Sequence, residues 1–171
     1  MENVTSLYIY VTRIKELPFS IQNLTRLRRL ELVSCENLEQ IRGIPPNLET
    51  FYVKDCSCLK DLDLTLLSTW TKECCLLKEL CLHGCKNLQK IKGIPPSIEV
   101  LSVAYCTSLK YVDDTLPPAC TQECCIWSTL FYDAHGVNLQ EIHGIPSIVR
   151  TCSARGGQSL TSVPTGMLLN K

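Results

Sequence analysis

The sequence predicts an α/β solenoid, in which short parallel strands stack along one side of a curved array. Three observations predict this fold: a duplication with a fifty-residue offset, an LxxLxL pattern that recurs within each duplicated block, and proline-rich segments that follow the pattern. Each observation places a different part of the repeating unit. Together they predict a single domain over residues 1–171.

The duplication is seen when three segments are aligned. LRRLELVSCENLEQIRGIPPNLE begins at Leu27, and LKELCLHGCKNLQKIKGIPPSIE begins fifty residues later at Leu77. A third copy, WSTLFYDAHGVNLQEIHGIPSIV, begins at Trp127 with the same offset. Self-similarity at a fixed period is the signature of repeat architectures, so the whole chain is interpreted as one stack of units.

The LxxLxL pattern divides the chain into seven units, which begin near residues 4, 27, 48, 77, 98, 127 and 148, the last being degenerate. Nineteen of the twenty-one pattern positions are apolar, well above the 45% of the whole chain. Alternation of apolar and polar residues sends every second side chain of a strand to the same face. The units therefore share one interior. Their period of 21 to 29 residues predicts a leucine-rich-repeat horseshoe with its strands on the concave face.

The return path of each unit contains GIPPNL, GIPPSI or GIPSI. Proline lacks an amide donor and disfavours helix in the residue before it, which predicts irregular or 3-10 segments on the convex side. The longer units hold additional connections at 63–76 and 113–126, which are long enough for a helical turn.

Four of the twelve cysteines recur at one position of the repeat, three residues after the last strand leucine: Cys35, Cys56, Cys85 and Cys106. A free thiol packs like a small hydrophobe, which suits a buried turn. Neighbouring members would lie within disulfide reach, but a reducing compartment favours free thiols. We therefore interpret them as structural.

The remaining cysteines predict no metal site. The pairs Cys74-Cys75 and Cys124-Cys125 lie two units apart, about 10 Å by strand spacing, and no CxxC motif occurs. In the group Cys81, His83 and Cys85, strand alternation turns the third side chain away from the first two.

No catalytic or cofactor site is predicted either. The chain has neither GxxxxGK[ST] nor GxGxxG, and its histidines fall at surface positions of the repeat, so we expect no enzyme activity and no cofactor. Seventeen basic residues balance seventeen acidic ones, which argues against a nucleic-acid partner. The N-terminal segment lacks signal-peptide features and no apolar run reaches membrane-span length, so we expect no membrane partner and a cytoplasmic, also nuclear, location.

The residues between the strand leucines are the candidates for partner binding, since they face outward from the predicted sheet. Tyrosine, phenylalanine and arginine are favoured at interfaces because they provide large contact areas. The predicted partner-binding residues are Tyr8, Tyr10, Arg28, Arg29, Tyr52, Lys54, Lys78, His83, Tyr105 and Phe131.

The segments LTRLRRLELVSCENLEQIRGIPPNLETFYVKDCSCLKDL and LLKELCLHGCKNLQKIKGIPPSIEVLSVAYCTSLKYV resemble the C-terminal repeats of plant intracellular immune receptors of the Toll/interleukin-receptor-type nucleotide-binding leucine-rich-repeat class. The family's LxxLxLxxCxxLxxLP repeat is matched with Cys35, Cys56, Cys85 and Cys106 at its Cys position. IKELPFSIQNLTRLRRL at 14–30 is similar to its LPxSIxxLxxL unit, and the tail SLTSVPTGMLLNK resembles a degenerate last repeat.

This resemblance implies a non-catalytic recognition module in plant defence signalling. Its partner would be a pathogen effector or the receptor's own nucleotide-binding module, and the chain would be a fragment or truncated product. Two alternatives stay open. One is a thiol-rich metal or redox protein, suggested by the twelve cysteines. The other is a fragment of a secreted leucine-rich-repeat receptor, suggested by glycosylation triplets at Asn3 and Asn23.

Overall fold

The computed structural model describes residues 3–64, 76–95 and 97–113, together with the backbone of three later strands. The strands are β1 Ser6–Tyr10, β2 Arg29–Val33, β3 Thr50–Lys54, β4 Asp61–Asp63, β5 Glu79–His83, β6 Lys90–Lys92, β7 Val100–Ser102, β8 Tyr111–Asp113, β9 Leu130–Asp133, β10 Glu141–His143 and β11 Cys152–Arg155. A 3-10 helix spans Phe19–Asn23. The fold is therefore mostly short strands with very little helix.

The strands form two parallel sheets. The long sheet has the order β1-β2-β3-β5-β7-β9-β11, and the short sheet has the order β10-β8-β6-β4. From β3 onward the chain passes alternately from one sheet to the other. An isolated parallel bridge between Glu16 and Gln40 lies outside the named strands. The predicted parallel strands are confirmed, and the two sheets are consistent with leucine-rich-type repeats.

Alternate residues of the strands supply one hydrophobic core. Leu30 and Leu32 of β2, Phe51 of β3 and Leu80 of β5 are fully buried, as the LxL pattern predicts. The centres of the short-sheet strands, Leu62, Ile91 and Val112, belong to the same cluster. The inward faces of the long and short sheets thus share a single interior. Repeating units that cannot bury their apolar side alone are stabilised in this way.

The short sheet corrects the predicted return path. Irregular or 3-10 segments were expected there, whereas DLD, KIK and YVD form three-residue strands in register, with Leu62 opposite Ile91 and Ile91 opposite Val112. The reason is the period of two: a buried apolar centre between two outward polar residues suits an extended segment and is too short for a helical turn. No α-helix occurs among the described residues, and most of 63–76 and 113–126 lies outside them.

The register near the end of the long sheet also differs from the sequence alignment. Leu101 lies opposite Tyr132, although Leu101 and Leu130 hold the same position of the LxxLxL pattern in their units. Leu130 lies opposite Cys152, although the alignment matched it with Thr151. A shift of two residues keeps the same face of the strand, whereas a shift of one exchanges the faces. The degenerate LxxLxL pattern of the last unit is too weak to define its register.

Each long-sheet strand from β1 to β7 leads into the same turn. The residue at that turn has a positive φ in every case: Val11, Ser34, Asp55, Gly84 and Tyr105. Backbone hydrogen bonds link successive turns, for example from the N–H of Ser34 to the carbonyl of Lys54 at 2.8 Å. At the turns formed by Ser34, Asp55, Gly84 and Tyr105, the next residue is a cysteine. The carbonyl of this cysteine accepts a hydrogen bond from the N–H of a buried leucine three positions later.

Candidate functional site

The outward face of the long sheet is defined by three rows of side chains that the parallel register aligns across the strands. The first row is Ser6, Arg29, Thr50, Glu79 and Val100; the second is Tyr8, Glu31, Tyr52, Cys81 and Ser102; the third is Tyr10, Val33, Lys54 and His83. All of these side chains are exposed or half-buried. The rows form a continuous polar and aromatic surface, about 4.8 Å from strand to strand.

Arg29 lies at the centre of this surface. Its Nε donates a 2.7 Å hydrogen bond to Oε1 of Glu31, two residues along the same strand. Its guanidinium lies over the ring of Tyr52, 4.9 Å from the ring centroid. The hydrogen bond to Glu31 is the largest cause that raises the pKa of Arg29. The side chain is therefore held in one orientation, with a cation–π contact and an ion pair acting together.

Two tyrosines extend the network to neighbouring strands. The hydroxyl of Tyr52 donates to Oε2 of Glu79 at 3.0 Å, and the hydroxyl of Tyr10 donates to Oε2 of Glu31 at 3.1 Å. Partial desolvation, followed by the hydrogen bond to Glu79, raises the pKa of Tyr52 to about 12. Desolvation, followed by the hydrogen bond to Glu31, raises the pKa of Tyr10. The set Tyr10, Glu31, Arg29, Tyr52 and Glu79 is called the surface network below.

Further aromatic contacts flank the surface network. The rings of Tyr8 and Tyr10 are stacked with centroids 6.2 Å apart, and the rings of His83 and Tyr105 meet edge to face at 5.1 Å. Tyr8, Tyr10 and Tyr105 each keep about half of their surface exposed. Aromatic side chains fixed in this way offer large contact area at low entropic cost.

The structure separates the ten predicted partner-binding residues into groups. Tyr8, Tyr10, Arg29, Tyr52, Lys54 and His83 lie on the three rows, and Tyr105 lies at the turn after β7. Arg28 and Lys78 precede their strands and form ion pairs with Glu49 and Glu99. Phe131 lies opposite Val100 in the backbone register, and its side chain is outside the described residues. None of these placements tests partner binding.

Sequence reasoning missed the two acids that organise the surface network. Glu31 and Glu79 face outward but were not chosen, because acidic side chains are depleted at interface cores. Here each carboxylate accepts a tyrosine hydroxyl from the preceding strand. Tyr10 and Glu31, like Tyr52 and Glu79, occupy neighbouring strands two register positions apart, so only the strand register could have identified these pairs.

The recurring cysteines form a column of thiols inside the molecule. Cys35, Cys56, Cys85 and Cys106 are fully buried free thiols. Each lies within hydrogen-bonding distance of a carbonyl in the preceding long-sheet strand, from 3.4 Å for Cys106 and Leu82 to 3.9 Å for Cys56 and Leu32. The weakly polar S–H thereby satisfies a backbone carbonyl at the end of each strand ladder.

Neighbouring thiols of this column also hydrogen-bond to one another, and their pKa values diverge as a result. The hydrogen bond to Cys85, assisted by burial, raises the pKa of the Cys56 thiol far above its usual range. The hydrogen bond to Cys106 raises the pKa of Cys85 to about 12, and the same bond lowers the pKa of Cys106. Cys56 and Cys85 therefore stay protonated at neutral pH, as structural thiols do.

The described ranges contain neither a cluster of metal ligands nor a membrane-spanning helix. No group of three or more His, Cys, Asp or Glu side chains gathers there as a metal site requires. Cys81, His83 and Cys85 do not form such a group, and the pairs at 74–75 and 124–125 lie outside the described residues. No helix among those residues has the length and apolar character of a membrane span.

A groove of about 600 Å³ lies away from the outward face, between residues 39–42 and the segment that contains β4. Its lining includes Glu39, Arg42, Lys60 and Asp61, and the exposed thiol of Cys58. The lining holds both acidic and basic groups, so the groove presents no single sign of charge to a ligand.

Fold and surface together define a parallel-strand repeat protein with an ordered aromatic and charged face. Comparison with known proteins finds similarity over part of the chain. The chain is 44% identical over 43 residues to disease resistance protein RPP2A of Arabidopsis thaliana, and 35% identical over 69 residues to probable disease resistance protein At4g19520 of the same plant. These matches cover 25% and 40% of the chain.

The chain spans only 3% and 4% of the length of these two curated relatives. No family model matches the sequence, and no solved structure matches it. The comparisons therefore show a partial similarity to plant disease resistance proteins.

Proposed function

We propose that the chain is a leucine-rich-repeat solenoid whose long sheet lines the concave face, and that it is a non-catalytic protein-recognition module of a plant immune receptor. Its partner is a pathogen effector or the receptor's own nucleotide-binding module, and it acts in the cytoplasm, also in the nucleus. The similarity to two disease resistance proteins supports the context. The alternation of the chain between two parallel sheets supports the solenoid.

The observation that carries the recognition role is the surface network. Arg29 and Tyr52 are residue types enriched at binding hot spots, and they contact each other on the outward face. Glu31 and Glu79 hold both side chains in place, so docking a partner costs less side-chain entropy than it would on an unorganised surface.

The proposal is tested by measuring the affinity of purified chain for two sets of candidates: pathogen effectors, and nucleotide-binding modules of plant immune receptors. The variant Arg29→Ala with Tyr52→Ala removes the centre of the surface network. We expect its affinity for a bound candidate to fall by roughly thirtyfold or more, since hot-spot truncations cost at least about 2 kcal/mol.

A matched control removes the same residue types from the other side of the molecule. Arg42 is exposed and pairs with Glu16, and Tyr111 is exposed on β8 of the short sheet. We expect Arg42→Ala with Tyr111→Ala to leave the affinity unchanged. Equal affinities of both double variants for every candidate that binds would contradict the assignment of the recognition surface.

A further inference from the structure

The charged groups of the outward face are paired at the edge where the long-sheet strands begin. Arg28 pairs with Glu49, and Lys78 pairs with Glu99 at 3.2 Å. Each pair joins two neighbouring strands, because its members immediately precede β2 and β3 or β5 and β7. The charges at these four positions therefore cancel in pairs.

The middle of the face also uses its acceptors internally. Glu31 accepts hydrogen bonds from Arg29 and Tyr10, and Glu79 accepts one from Tyr52. These are the two carboxylates on the three rows of described side chains. Both are therefore already engaged by donors that belong to the face itself.

The edge where the strands end carries donors in excess. Lys54 and His83 lie opposite each other on β3 and β5, which are about 4.8 Å apart. Among the described residues, no acidic side chain pairs with the exposed ammonium of Lys54. The ring of His83 meets the ring of Tyr105 edge to face. Within the same ranges, neither this imidazole nor the hydroxyl of Tyr105 donates a hydrogen bond.

The turns that follow the strands bring these side chains together. The N–H of Gly84 donates to the carbonyl of Ala104 at 2.9 Å, which places the turn after β7 beside the turn after β5. Asp55, the residue after Lys54, has a φ of 53°, and its Oδ1 packs against Gly84. The acid nearest to Lys54 along the chain is therefore directed to the next turn.

We propose that Lys54, His83 and Tyr105 bind a carboxylate from an acidic segment of the protein partner. This inference rests on the proposed recognition role and adds the chemistry of the partner. A carboxylate accepts hydrogen bonds from the ammonium of Lys54 and from the N–H that an imidazole offers in either charge state. The half-exposed ring of Tyr105 borders the site. A basic segment does not fit, because it would meet the charge of Lys54.

The site is tested first with a peptide, without any receptor or effector. The acidic peptide is acetyl-Gly-Glu-Tyr-Glu-Gly-amide, and its matched peptide has glutamine in place of both glutamates. Each is titrated into the purified chain while the ring protons of His83 are followed by NMR. We expect a saturable shift with the acidic peptide and none with the glutamine peptide. Lys54→Gln is expected to weaken binding roughly tenfold, because it removes a charged hydrogen bond.

Two further variants separate charge from other effects. Lys54→Arg keeps the positive charge and is expected to keep binding the acidic peptide. Lys60→Gln removes an exposed lysine that lines the groove away from the outward face, and it is expected to bind as wild type does. Circular dichroism checks that each variant is folded. A shift of His83 that does not saturate, an equal response to both peptides, or unchanged binding by Lys54→Gln would each overturn the proposal.

Failure of this inference can be told apart from failure of the proposed function. For an effector or nucleotide-binding module that binds the chain, Lys54→Glu is expected to lower the affinity at least tenfold. If Lys54→Glu binds as tightly as wild type while Arg29→Ala with Tyr52→Ala does not, the outward face remains the recognition surface and the acidic partner is wrong. If the acidic peptide binds and no candidate protein does, the carboxylate site stands and the proposed function is wrong.

Discussion

The inward and outward positions of the same strands differ in the residue types that they hold. Across β2, β3 and β5 the inward positions hold only leucine, phenylalanine and valine, all fully buried, and a buried cysteine follows each strand. The outward positions of those strands range from Arg29 and Glu31 to Tyr52, Lys54 and His83. Packing of the parallel strands constrains the interior, because the buried side chains of each strand must fit those of its neighbours, while the outward side chains are under no such constraint. The outward side chains can therefore differ without a change of fold.

The largest test of this contrast uses two neighbours on β3. Phe51 is fully buried and Tyr52 is half-buried on the outward face. Phe51→Ala is expected to lower the free energy of unfolding by about 3–5 kcal/mol, because it leaves a cavity in the core. Tyr52→Ala is expected to cost about 1 kcal/mol, for one hydroxyl hydrogen bond and the contact with Arg29.

Both free energies are measured by chemical denaturation followed by circular dichroism. The slope with denaturant should stay the same for both variants, so that the midpoints compare stability directly. Equal losses for Phe51→Ala and Tyr52→Ala would show that the outward face is as tightly packed as the interior, and the contrast would be wrong.

A smaller effect on stability is expected at the turn that follows a long-sheet strand. Gly84 has a φ of +67°, and a Cβ at this position would lie 2.2 Å from Oδ1 of Asp55 in the preceding turn. Gly84→Ala is therefore expected to destabilise the chain by about 1–3 kcal/mol.

The equivalent turn after β1 predicts the opposite sign. Val11 has a φ of 48°, which a β-branched residue adopts at a cost, and it is 80% exposed. Val11→Gly removes the backbone strain of the folded state but raises the conformational entropy of the unfolded chain. The free energy of unfolding is expected to rise by about 0.5 kcal/mol. Thermal unfolding of the two variants checks both signs. A rise in stability for Gly84→Ala would contradict the requirement for a left-handed backbone conformation at this turn.

The sequence was informative where the side chain itself determines its place. Leu30, Phe51 and Leu80 are buried as the period-two pattern predicts, and the four turn cysteines are buried with them. It was uninformative where the neighbouring strand determines the structure. Nothing in Ser34 or Tyr105 itself signals a positive φ, and the N–H of Ser34 bonds to the carbonyl of Lys54 on the neighbouring strand.

The short sheet and the surface network escaped prediction for the same reason. DLD, KIK and YVD are charged or polar at both ends and become strands only when stacking brings them side by side. Tyr52 and Glu79 are 27 residues apart, and their hydrogen bond depends on the strand register. Hydrophobic periodicity indicates which face of the strand a residue occupies, but it does not identify the residue opposite it on the neighbouring strand.

The smallest expected effect isolates one hydrogen bond of the outward face. The pKa of Tyr52 is raised from 10.0 to about 12, first by desolvation and then by its hydrogen bond to Glu79. The folded state therefore keeps this proton where the unfolded state has lost it. Its contribution to stability is complete below pH 10 and is lost as the pH rises from about 10 to about 12. Tyr52→Phe should lack this loss, while its stability near neutral pH changes by 1 kcal/mol or less, since the bond is partly solvated.

Between pH 8 and pH 12 the unfolding free energy of wild type should fall relative to that of Tyr52→Phe. Absorbance titration of the phenols gives a second reading: subtracting the variant's curve should isolate one group that titrates near 12. Tyr111→Phe, on the short sheet, is the control that leaves this group in place. If the subtracted group titrates at 10, Tyr52 is not held by Glu79 in solution. The surface network would then be a set of independent side chains, and its rigidity could no longer support the choice of the outward face for recognition.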